Sequence, residues 1–301
     1  MISEENFLGN EKITRYLNKT LDKGCVSHAY LFEGPEHIGK STLALRFAAD
    51  LLEDDFEKIV KNPDLISIAP NEDSKRQISV EQIRELQKDL SLFPFRAKYK
   101  IAIIEKAELM NRTAANSLLK TLEEPGKTSI LILTTSNSEN ILDTIKSRCQ
   151  IFNFSSASAD KLGEFLKNQA QSDLLPKVLE FAQGKPGLAI NLLNDPELLK
   201  TMEERKSRIL SLFDSNNAEK LEKAAPIFAL EKEEVLETLD VWISALRLEL
   251  LKDLNEDKNN EKMISIKKIK NALDQTISTR EDISSKNINV RLSIENLCLS
   301  F

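Results

Sequence analysis

The chain has 301 residues, and its 42 Lys and Arg against 48 Asp and Glu give a formal net charge of −6. Acidic side chains outnumber basic ones in both halves, which argues against a module that grips nucleic acid by bulk positive charge. The low content of 8 Gly and 9 Pro disfavours the repeated tight turns of an all-β sandwich or barrel, so helices should dominate.

The first half of the chain alternates short apolar runs with segments of helical periodicity. This pattern is typical of an α/β unit with a parallel sheet. The predicted strands are residues 29–32, 64–68, 100–104, 129–134 and 151–154. The predicted helices between them are residues 41–52, 80–92 and 114–122. The unbroken apolar character of the third strand indicates burial on both faces of the sheet.

After Phe154 we find helical periodicity alone, which predicts an all-helical remainder. The polar stretch 155–160 could link two domains and cap the next helix. The sequence Gly184-Lys185-Pro186-Gly187 predicts a turn between two helices, and longer helices should break near 216–217 and 255–260. Trp242 has apolar neighbours at helical spacing and is predicted to lie in a core.

Residues 34–41, with the sequence GPEHIGKS, fit the phosphate-loop pattern G-x-x-x-x-G-K-[ST]. The pattern lies between a predicted strand and a predicted helix, where backbone N–H groups and the helix N-terminus can face phosphate oxygens. Lys40 would reach the β- and γ-phosphates, and Ser41 would bind Mg²⁺. Binding of a nucleoside triphosphate is the first functional hypothesis, and a chance match is the alternative.

Hydrolysis would also require a carboxylate after a second apolar strand. Glu105 follows residues 100–104 and could hold the metal ion. The next residue, Lys106, is a cation and cannot act as a general base at neutral pH without a large fall in its pKa. Glu108 could substitute, and both glutamates could equally be ordinary residues at the end of a strand.

The nucleotide-binding prediction therefore includes the phosphate loop, with the start of its helix, and one residue after each of the predicted strands 100–104 and 129–134. The predicted binding residues are Gly34, Gly39, Lys40, Ser41, Thr42, Glu105 and Thr135. Ser41 and Glu105 are the possible Mg²⁺ ligands if ATP binds, and no other metal site is predicted. The two histidines, His28 and His37, are predicted to be a packing residue and an exposed loop residue rather than metal ligands.

Three further segments resemble bacterial clamp-loader subunits of the AAA+ ATPase superfamily, in particular the delta prime type of DNA polymerase III. They are 27–32 (SHAYLF), 114–125 (AANSLLKTLEEP) and Ser147-Arg148-Cys149, with weaker support from 184–189 and 287–297. The resemblance covers essentially the whole chain. It implies an AAA+ α/β domain over 1–154, an all-α lid over 155–203 and an all-α collar over 204–301 that assembles into a five-subunit ring.

The resemblance also implies roles for single residues. Arg148 would project into the nucleotide site of a neighbouring subunit as an arginine finger, a planar cation that stabilises charge on the transferring γ-phosphoryl group. Lys106 stands where the motor subunits of the ring carry the catalytic acid, and Gly187 stands where they carry a nucleotide-sensing arginine. Both departures favour the delta prime type. We therefore expect weak or absent ATP hydrolysis by the chain alone, and no polymerase active site.

The implied partners are a motor subunit and a delta subunit, with the sliding clamp contacted indirectly and primed DNA through the complex. Many bacterial members carry a four-cysteine zinc module after the phosphate-loop helix. Residues 51–63 contain no cysteine, so we predict no zinc. The nearby basic residues could contact the DNA backbone or form an ordinary exposed loop: Arg96, Lys98, Lys100 and Arg112.

The predicted location is cytoplasmic, with no membrane partner. The N-terminus lacks an apolar signal segment, and the apolar runs are far shorter than the roughly 20 residues of a membrane span. The three cysteines are odd in number and far apart, which predicts free thiols in a reducing compartment.

Three functions remain open. The first is a clamp-loader subunit that closes the ring and supplies Arg148. The second is an ATP-hydrolysing AAA+ motor that uses Lys40, Ser41, Glu105 and Glu108. The third is a small-molecule kinase, which the long helical second half disfavours because such an enzyme does not need it.

Overall fold

The computed structural model describes residues 7–71, 77–167, 173–213, 215–255, 260–285 and 288–301. The chain forms two compact units, of which the first ends at Asn191 and the second spans Leu192–Phe301. The division into three domains stays a prediction. Its second boundary, after residue 203, falls within the continuous helix Pro196–Leu212.

The first unit contains a five-stranded parallel sheet in the order β2-β3-β4-β1-β5. The strands are β1 (Ala29–Glu33), β2 (Leu65–Ile68), β3 (Lys100–Ile104), β4 (Ser129–Thr135) and β5 (Gln150–Asn153). All five predicted strands are present, and the predicted parallel sheet is confirmed. Because all strands run in one direction, the loops after β1, β3 and β4 lie at one edge, the carboxyl edge. The segments before β3, β4 and β5 lie at the opposite amino edge.

Five helices accompany these strands in the chain. They are α1 (Glu11–Lys23), α2 (Lys40–Leu52), α3 (Val80–Leu90), α4 (Arg112–Glu123) and α5 (Asp143–Lys146). The sequence patterns predicted α2, α3 and α4. Helix α3 begins at a reciprocal capping box between Ser79 and Gln82, which satisfies backbone N–H groups of its first turn.

Hydrophobic side chains cover both faces of the sheet, because neighbouring residues of a strand point to opposite sides. Tyr30 and Phe32 of β1 pack in one cluster with Phe47 of α2. Leu31 packs in the other cluster with Leu118 of α4. Every residue of β3 and β4 is buried, as predicted for the third strand.

Helices α6 (Ala159–Leu166), α7 (Leu175–Ala182) and α8 (Pro186–Asn194) follow the sheet. Ser158 accepts a hydrogen bond from the backbone N–H of Lys161 and caps α6, as expected for the polar stretch 155–160. The predicted turn between two helices joins α7 to α8.

The described part of the second unit is helical. After α8 come α9 (Pro196–Leu212), α10 (Asn217–Ala224), α11 (Lys232–Asn255), α12 (Asn260–Ser285) and α13 (Val290–Ser300). Trp242 is fully buried in the core of this unit, as predicted, and its indole N–H donates to the Arg205 carbonyl O at 3.0 Å. Residues 256–259 of the second predicted break and Asn287 lie outside the described residues. None of the helices within the described ranges combines the length and the apolar character that a membrane span requires.

Candidate functional site

The predicted phosphate loop joins β1 to α2 at the carboxyl edge of the sheet. Gly39 has φ of 97°, a backbone conformation that glycine adopts readily. A Cβ at this position would also lie 2.8 Å from the Phe7 ring. At the other end of the loop, the Gly34 N–H donates to the Thr135 carbonyl O at 3.2 Å. The loop is therefore fixed at one end to β4 and at the other by packing against Phe7.

Lys40 is the first residue of α2, and its side chain folds back over the phosphate loop. Its Nζ donates to the carbonyl oxygens of Gly34 and Pro35, both at 2.6 Å. Burial lowers the pKa of Lys40, and the carboxylates of Glu108 and Glu36 act in the opposite direction. An ammonium group is thus held within the loop, where phosphate oxygens can take the place of the two carbonyls.

Ser41 and Glu105 are brought together by the fold. The Ser41 hydroxyl donates to Glu105 Oε2 at 2.9 Å, although the two residues belong to α2 and to the end of β3. A hydroxyl and a carboxylate are the hard oxygen ligands that Mg²⁺ prefers. The residues predicted to bind Mg²⁺ therefore fit such an ion.

Lys106, the residue after Glu105, forms an ion pair within the candidate site. Its Nζ lies 3.2 Å from Glu36 Oε1 of the phosphate loop. Burial raises the pKa of Glu36, but the charge and hydrogen bond of Lys106 outweigh this and hold that pKa below its usual value. The position next to Glu105 thus holds a paired cation instead of a carboxylate that could activate water. No local sequence pattern predicts the pairing of Lys106 with Glu36.

Glu108 joins the ends of β3 and β4. Its Oε1 accepts hydrogen bonds from the Ser136 N–H at 3.0 Å and from the Ser136 hydroxyl at 2.5 Å. Its Oε2 is buried and has no hydrogen-bond partner among the described residues. The charge of Glu108 acts on Lys40, so this glutamate belongs to the electrostatic environment of the phosphate loop.

Thr135 and Thr42 differ in their surroundings. Thr135 ends β4 and is fully buried, and its hydroxyl accepts a hydrogen bond from the Asn137 N–H at 3.2 Å. With its carbonyl bound to the Gly34 N–H, Thr135 supports the start of the phosphate loop. Thr42 lies exposed in the first turn of α2.

The start of α8 lies on the phosphate loop. The Gly187 N–H donates to the His37 carbonyl O at 2.8 Å. A Cβ at position 187 would also lie 2.8 Å from that oxygen, so a larger residue would require a shift of the backbone. This close approach is a feature that the sequence did not reveal. His37 itself is an exposed loop residue, as predicted.

Arg148 lies at the amino edge of the sheet, between α5 and β5. Its Nη2 donates to Glu123 Oε1 at 2.9 Å, and its Nη1 donates to the Thr144 carbonyl O at 3.0 Å. The phosphate loop is at the carboxyl edge. The fold therefore places Arg148 and Lys40 at opposite edges of one sheet, and does not bring Arg148 to the other predicted site residues.

The remaining predictions concern metals and basic residues. Within the described ranges, no group of three or more His, Cys, Asp or Glu side chains is placed to hold a metal ion. The absence of zinc stays a prediction. Lys100 does not belong to an exposed basic cluster, because it begins β3 and is buried, whereas Arg96, Lys98 and Arg112 are exposed.

Comparisons with known proteins show which family this chain resembles. A family model described as DNA polymerase III, delta subunit, matches residues 9–158. DNA polymerase III subunit delta' of Bacillus subtilis is 31% identical across 67% of this chain and 64% of its own length. Subunit delta' of Haemophilus influenzae is 26% identical across 80% of this chain and 75% of its own length.

A gamma subunit of Buchnera aphidicola is 29% identical across 64% of this chain and 57% of its own length. The chain thus spans less than two thirds of the first curated relatives. A solved structure, a DNA polymerase III gamma subunit-related protein of Thermotoga maritima, has a TM-score of 0.52 at 19% identity over 96% of each chain, which shows a shared fold. The chain belongs to the DNA polymerase III delta-subunit family and is similar to the delta' subunits of that polymerase.

Proposed function

We propose that this chain is a delta prime-type subunit of a clamp loader. In this role it helps ATP-driven loading of the sliding clamp onto DNA by closing the loader ring and donating Arg148 to the ATP site of a neighbouring subunit. The observation that supports the proposal is that Arg148 lies at the amino edge of the sheet, whereas the phosphate loop of the same chain lies at the carboxyl edge. At the edge opposite its own phosphate loop, the Arg148 guanidinium could assist phosphoryl transfer only at the nucleotide site of another subunit.

The surroundings of Arg148 support a role in trans. Its side chain is 35% exposed, and that of its partner Glu123 is 51% exposed. Exposed ion pairs of this kind contribute about 0–1 kcal/mol, so the guanidinium can exchange Glu123 for a phosphoryl group at little cost. A bidentate planar cation suits that new partner.

We also propose that the chain binds ATP with Mg²⁺ but hydrolyses it weakly or not at all. Lys40 would contact the phosphates, and Ser41 and Glu105 would hold Mg²⁺, which neutralises phosphate charge when bound. Weak hydrolysis is supported by the Lys106–Glu36 ion pair, since a cation occupies the position of the catalytic acid. Gly187 supports it as well, because this position packs on the phosphate loop and has no room for a sensing side chain.

A second candidate function is an ATP-hydrolysing AAA+ motor. One observation favours it: Glu108 has a buried carboxylate oxygen without a hydrogen-bond partner among the described residues, and its charge acts on Lys40. Such a carboxylate could activate water in place of the residue at position 106.

Phosphate release by the isolated chain and by the reconstituted loader distinguishes the two functions. The isolated chain should show little turnover. Because an arginine finger contributes about 10³–10⁵ in rate at the site it serves, the loader with Arg148→Ala should lose single-turnover hydrolysis at one site. Arg84→Ala, which removes an exposed arginine of α3, is the matched control and should change nothing.

Two outcomes would contradict the delta prime proposal. Robust turnover by the isolated chain that disappears in Lys40→Ala would identify a motor. Undiminished hydrolysis in the Arg148→Ala loader would remove the arginine-finger assignment. The proposed partners are a motor subunit and a delta subunit, with the sliding clamp contacted indirectly and primed DNA through the complex. A cytoplasmic location stays a prediction.

A further inference from the structure

Lys106 has a strained backbone conformation beside the phosphate loop. Its φ of 51° lies in the left-handed region, which residues other than glycine seldom adopt. The conformation is held by its surroundings, because the Lys106 N–H donates to the Thr134 hydroxyl at 3.3 Å and the preceding residue, Glu105, is bound to Ser41. Strained residues of this kind are concentrated at functional sites. The strain thus marks Lys106 as part of the candidate site.

The Lys106 side chain reaches the same stretch of the loop that holds Lys40. Lys40 Nζ donates to the carbonyl oxygens of Gly34 and Pro35, both at 2.6 Å. Lys106 Nζ lies 3.2 Å from Oε1 of the next residue, Glu36. Lys40 is buried, whereas the side chain of Lys106 is 56% exposed. Two ammonium groups therefore contact three consecutive residues of the loop, one within it and one at its solvent-exposed side.

The positive charge of Lys106 acts on three groups of the loop, which are Glu36, His37 and Lys40. The ion pair with Glu36 joins two side chains that are each about half-exposed, and such a pair adds little to stability. Stabilisation of the fold therefore does not explain a lysine at this strained position. A cation that acts along the loop also acts on an anion bound there, and phosphate is the anion that such a loop holds.

We propose that Lys106 binds the terminal phosphate of a nucleoside triphosphate, so that this site selects the triphosphate over the diphosphate. The ammonium group would exchange the exposed Glu36 carboxylate for a phosphate oxygen. The terminal phosphate is the one concerned because Lys106 directly follows Glu105, and a Mg²⁺ ion held by Ser41 and Glu105 bridges the β- and γ-phosphates. Lys106 has this role only if the chain binds ATP as proposed above.

The test compares the affinities of the full chain for fluorescent ATP and ADP analogues in the presence of Mg²⁺. Lys106→Met keeps an unbranched side chain and removes its charge. This variant should bind the ATP analogue at least about tenfold more weakly, because a hydrogen bond between charged groups is lost. Its affinity for the ADP analogue should stay within about twofold of the wild-type value, since ADP lacks the phosphate that Lys106 contacts.

Glu36→Gln separates a contact with phosphate from mere neutralisation of Glu36. Lys106→Met alone leaves the Glu36 carboxylate unpaired, and that carboxylate would itself repel phosphate. In the Glu36→Gln background this repulsion is absent, so the loss of Lys106 can act only through its own contact. The double variant should therefore still bind the ATP analogue at least about tenfold more weakly than Glu36→Gln alone.

Lys88→Met, at an exposed position of α3, is the matched control and should leave both affinities unchanged. Thermal unfolding followed by circular dichroism should be the same for all variants, since the substituted side chains are exposed or half-exposed. Equal weakening of ATP and ADP binding in Lys106→Met would overturn the assignment, as would a double variant that binds ATP as tightly as Glu36→Gln. A wild-type chain that binds neither nucleotide would instead contradict the proposed binding of ATP.

Discussion

Arg148 and Glu123 form an ion pair of 2.9 Å at the amino edge of the sheet, although 24 residues separate them in the chain. Glu123 ends α4 and Arg148 precedes β5, so the pair exists only because both elements end or begin at that edge. Within this pair the Arg148 side chain is 35% exposed to solvent. Its partial exposure means that Glu123 orients Arg148 without trapping it.

Glu123→Gln should therefore preserve the function of Arg148. The amide keeps an acceptor oxygen and loses only a surface ion pair of about 0–1 kcal/mol. Single-turnover hydrolysis by the reconstituted loader should stay within about fivefold of the wild-type rate, since about 1 kcal/mol corresponds to a factor of about five. A loss as large as that of Arg148→Ala would show that Glu123 is itself required at the neighbouring site.

Gly187→Ala should destabilise the first unit. The new Cβ would meet the His37 carbonyl O at 2.8 Å, and relief of such overlap typically costs about 1–3 kcal/mol. The matched control is Gly163→Ala in α6, where the Cβ would only touch a Leu179 methyl group at 3.6 Å. The free energy of unfolding of this control should rise by up to about 1 kcal/mol, because alanine has a higher helix propensity than glycine.

Urea unfolding followed by circular dichroism measures both glycine variants. Trp242 is the single tryptophan of the chain and lies in the second unit. Its fluorescence therefore reports on that unit and should be the same in both variants. Equal stability of Gly187→Ala and Gly163→Ala would contradict the tight approach of α8 to the phosphate loop.

Glu105→Gln should weaken nucleotide binding only when Mg²⁺ is present. A neutral amide is a poorer ligand for Mg²⁺ than a carboxylate, whereas the contact of Lys40 with phosphate is unaffected. We expect at least about a tenfold weaker affinity for a fluorescent ATP analogue with Mg²⁺, a change of 1.4 kcal/mol, and an unchanged affinity in a chelator. Glu85→Gln, on the exposed face of α3, is the control. Equal loss with and without Mg²⁺ would argue against metal binding by Glu105.

The buried Asp64 carboxylate accepts hydrogen bonds from the backbone N–H groups of Phe95, Arg96 and Ala97. Asp64→Asn should destabilise the first unit at neutral pH by about 3 kcal/mol, because hydrogen bonds to a charged acceptor contribute about 1.5–3 kcal/mol each and the amide cannot accept all three. Asp22→Asn, at an exposed position of α1, is the control. Chemical unfolding of the three proteins measures the difference. A loss of stability no larger than that of Asp22→Asn would show that Asp64 does not hold the backbone at Phe95, Arg96 and Ala97.

The difference in unfolding free energy between the wild type and Asp64→Asn should depend on pH in a direction that the pKa of Asp64 sets. Burial raises the pKa of Asp64, but the backbone hydrogen bonds of Phe95, Arg96 and Ala97 outweigh it, and the pKa lies below its ordinary value of 3.8. When the pKa of a carboxyl group is lower in the folded state than in the unfolded state, its ionisation stabilises the fold. This stabilisation is fully present at pH values above the unfolded-state pKa and is lost as the pH falls through the folded-state pKa. The difference between wild type and Asp64→Asn should therefore be constant from neutral pH to about pH 5 and shrink below 3.8. A difference that grows on acidification would contradict this assignment.

Helix α1 shows where sequence patterns failed. Its buried residues Ile13 and Leu17 form a narrow apolar stripe among charged and polar neighbours, and Asn10 before it makes no side-chain cap. Glu11 in its first turn, Lys23 in its last turn and the C-cap Gly24 are nevertheless ordinary helix signals, which the predicted elements above did not include. The predicted helix α2, by contrast, follows the phosphate-loop motif and has a broad buried face.

The sequence by itself determined the parallel α/β unit, the helical remainder and the phosphate loop, because each depends on residue periodicity or on a motif of neighbouring residues. Only the tertiary structure decided what these parts do together. It paired Ser41 with Glu105 and Lys106 with Glu36, and it placed Arg148 at the edge opposite Lys40. The physical reason is that strand order and direction set which distant residues meet, and no local pattern encodes those distances.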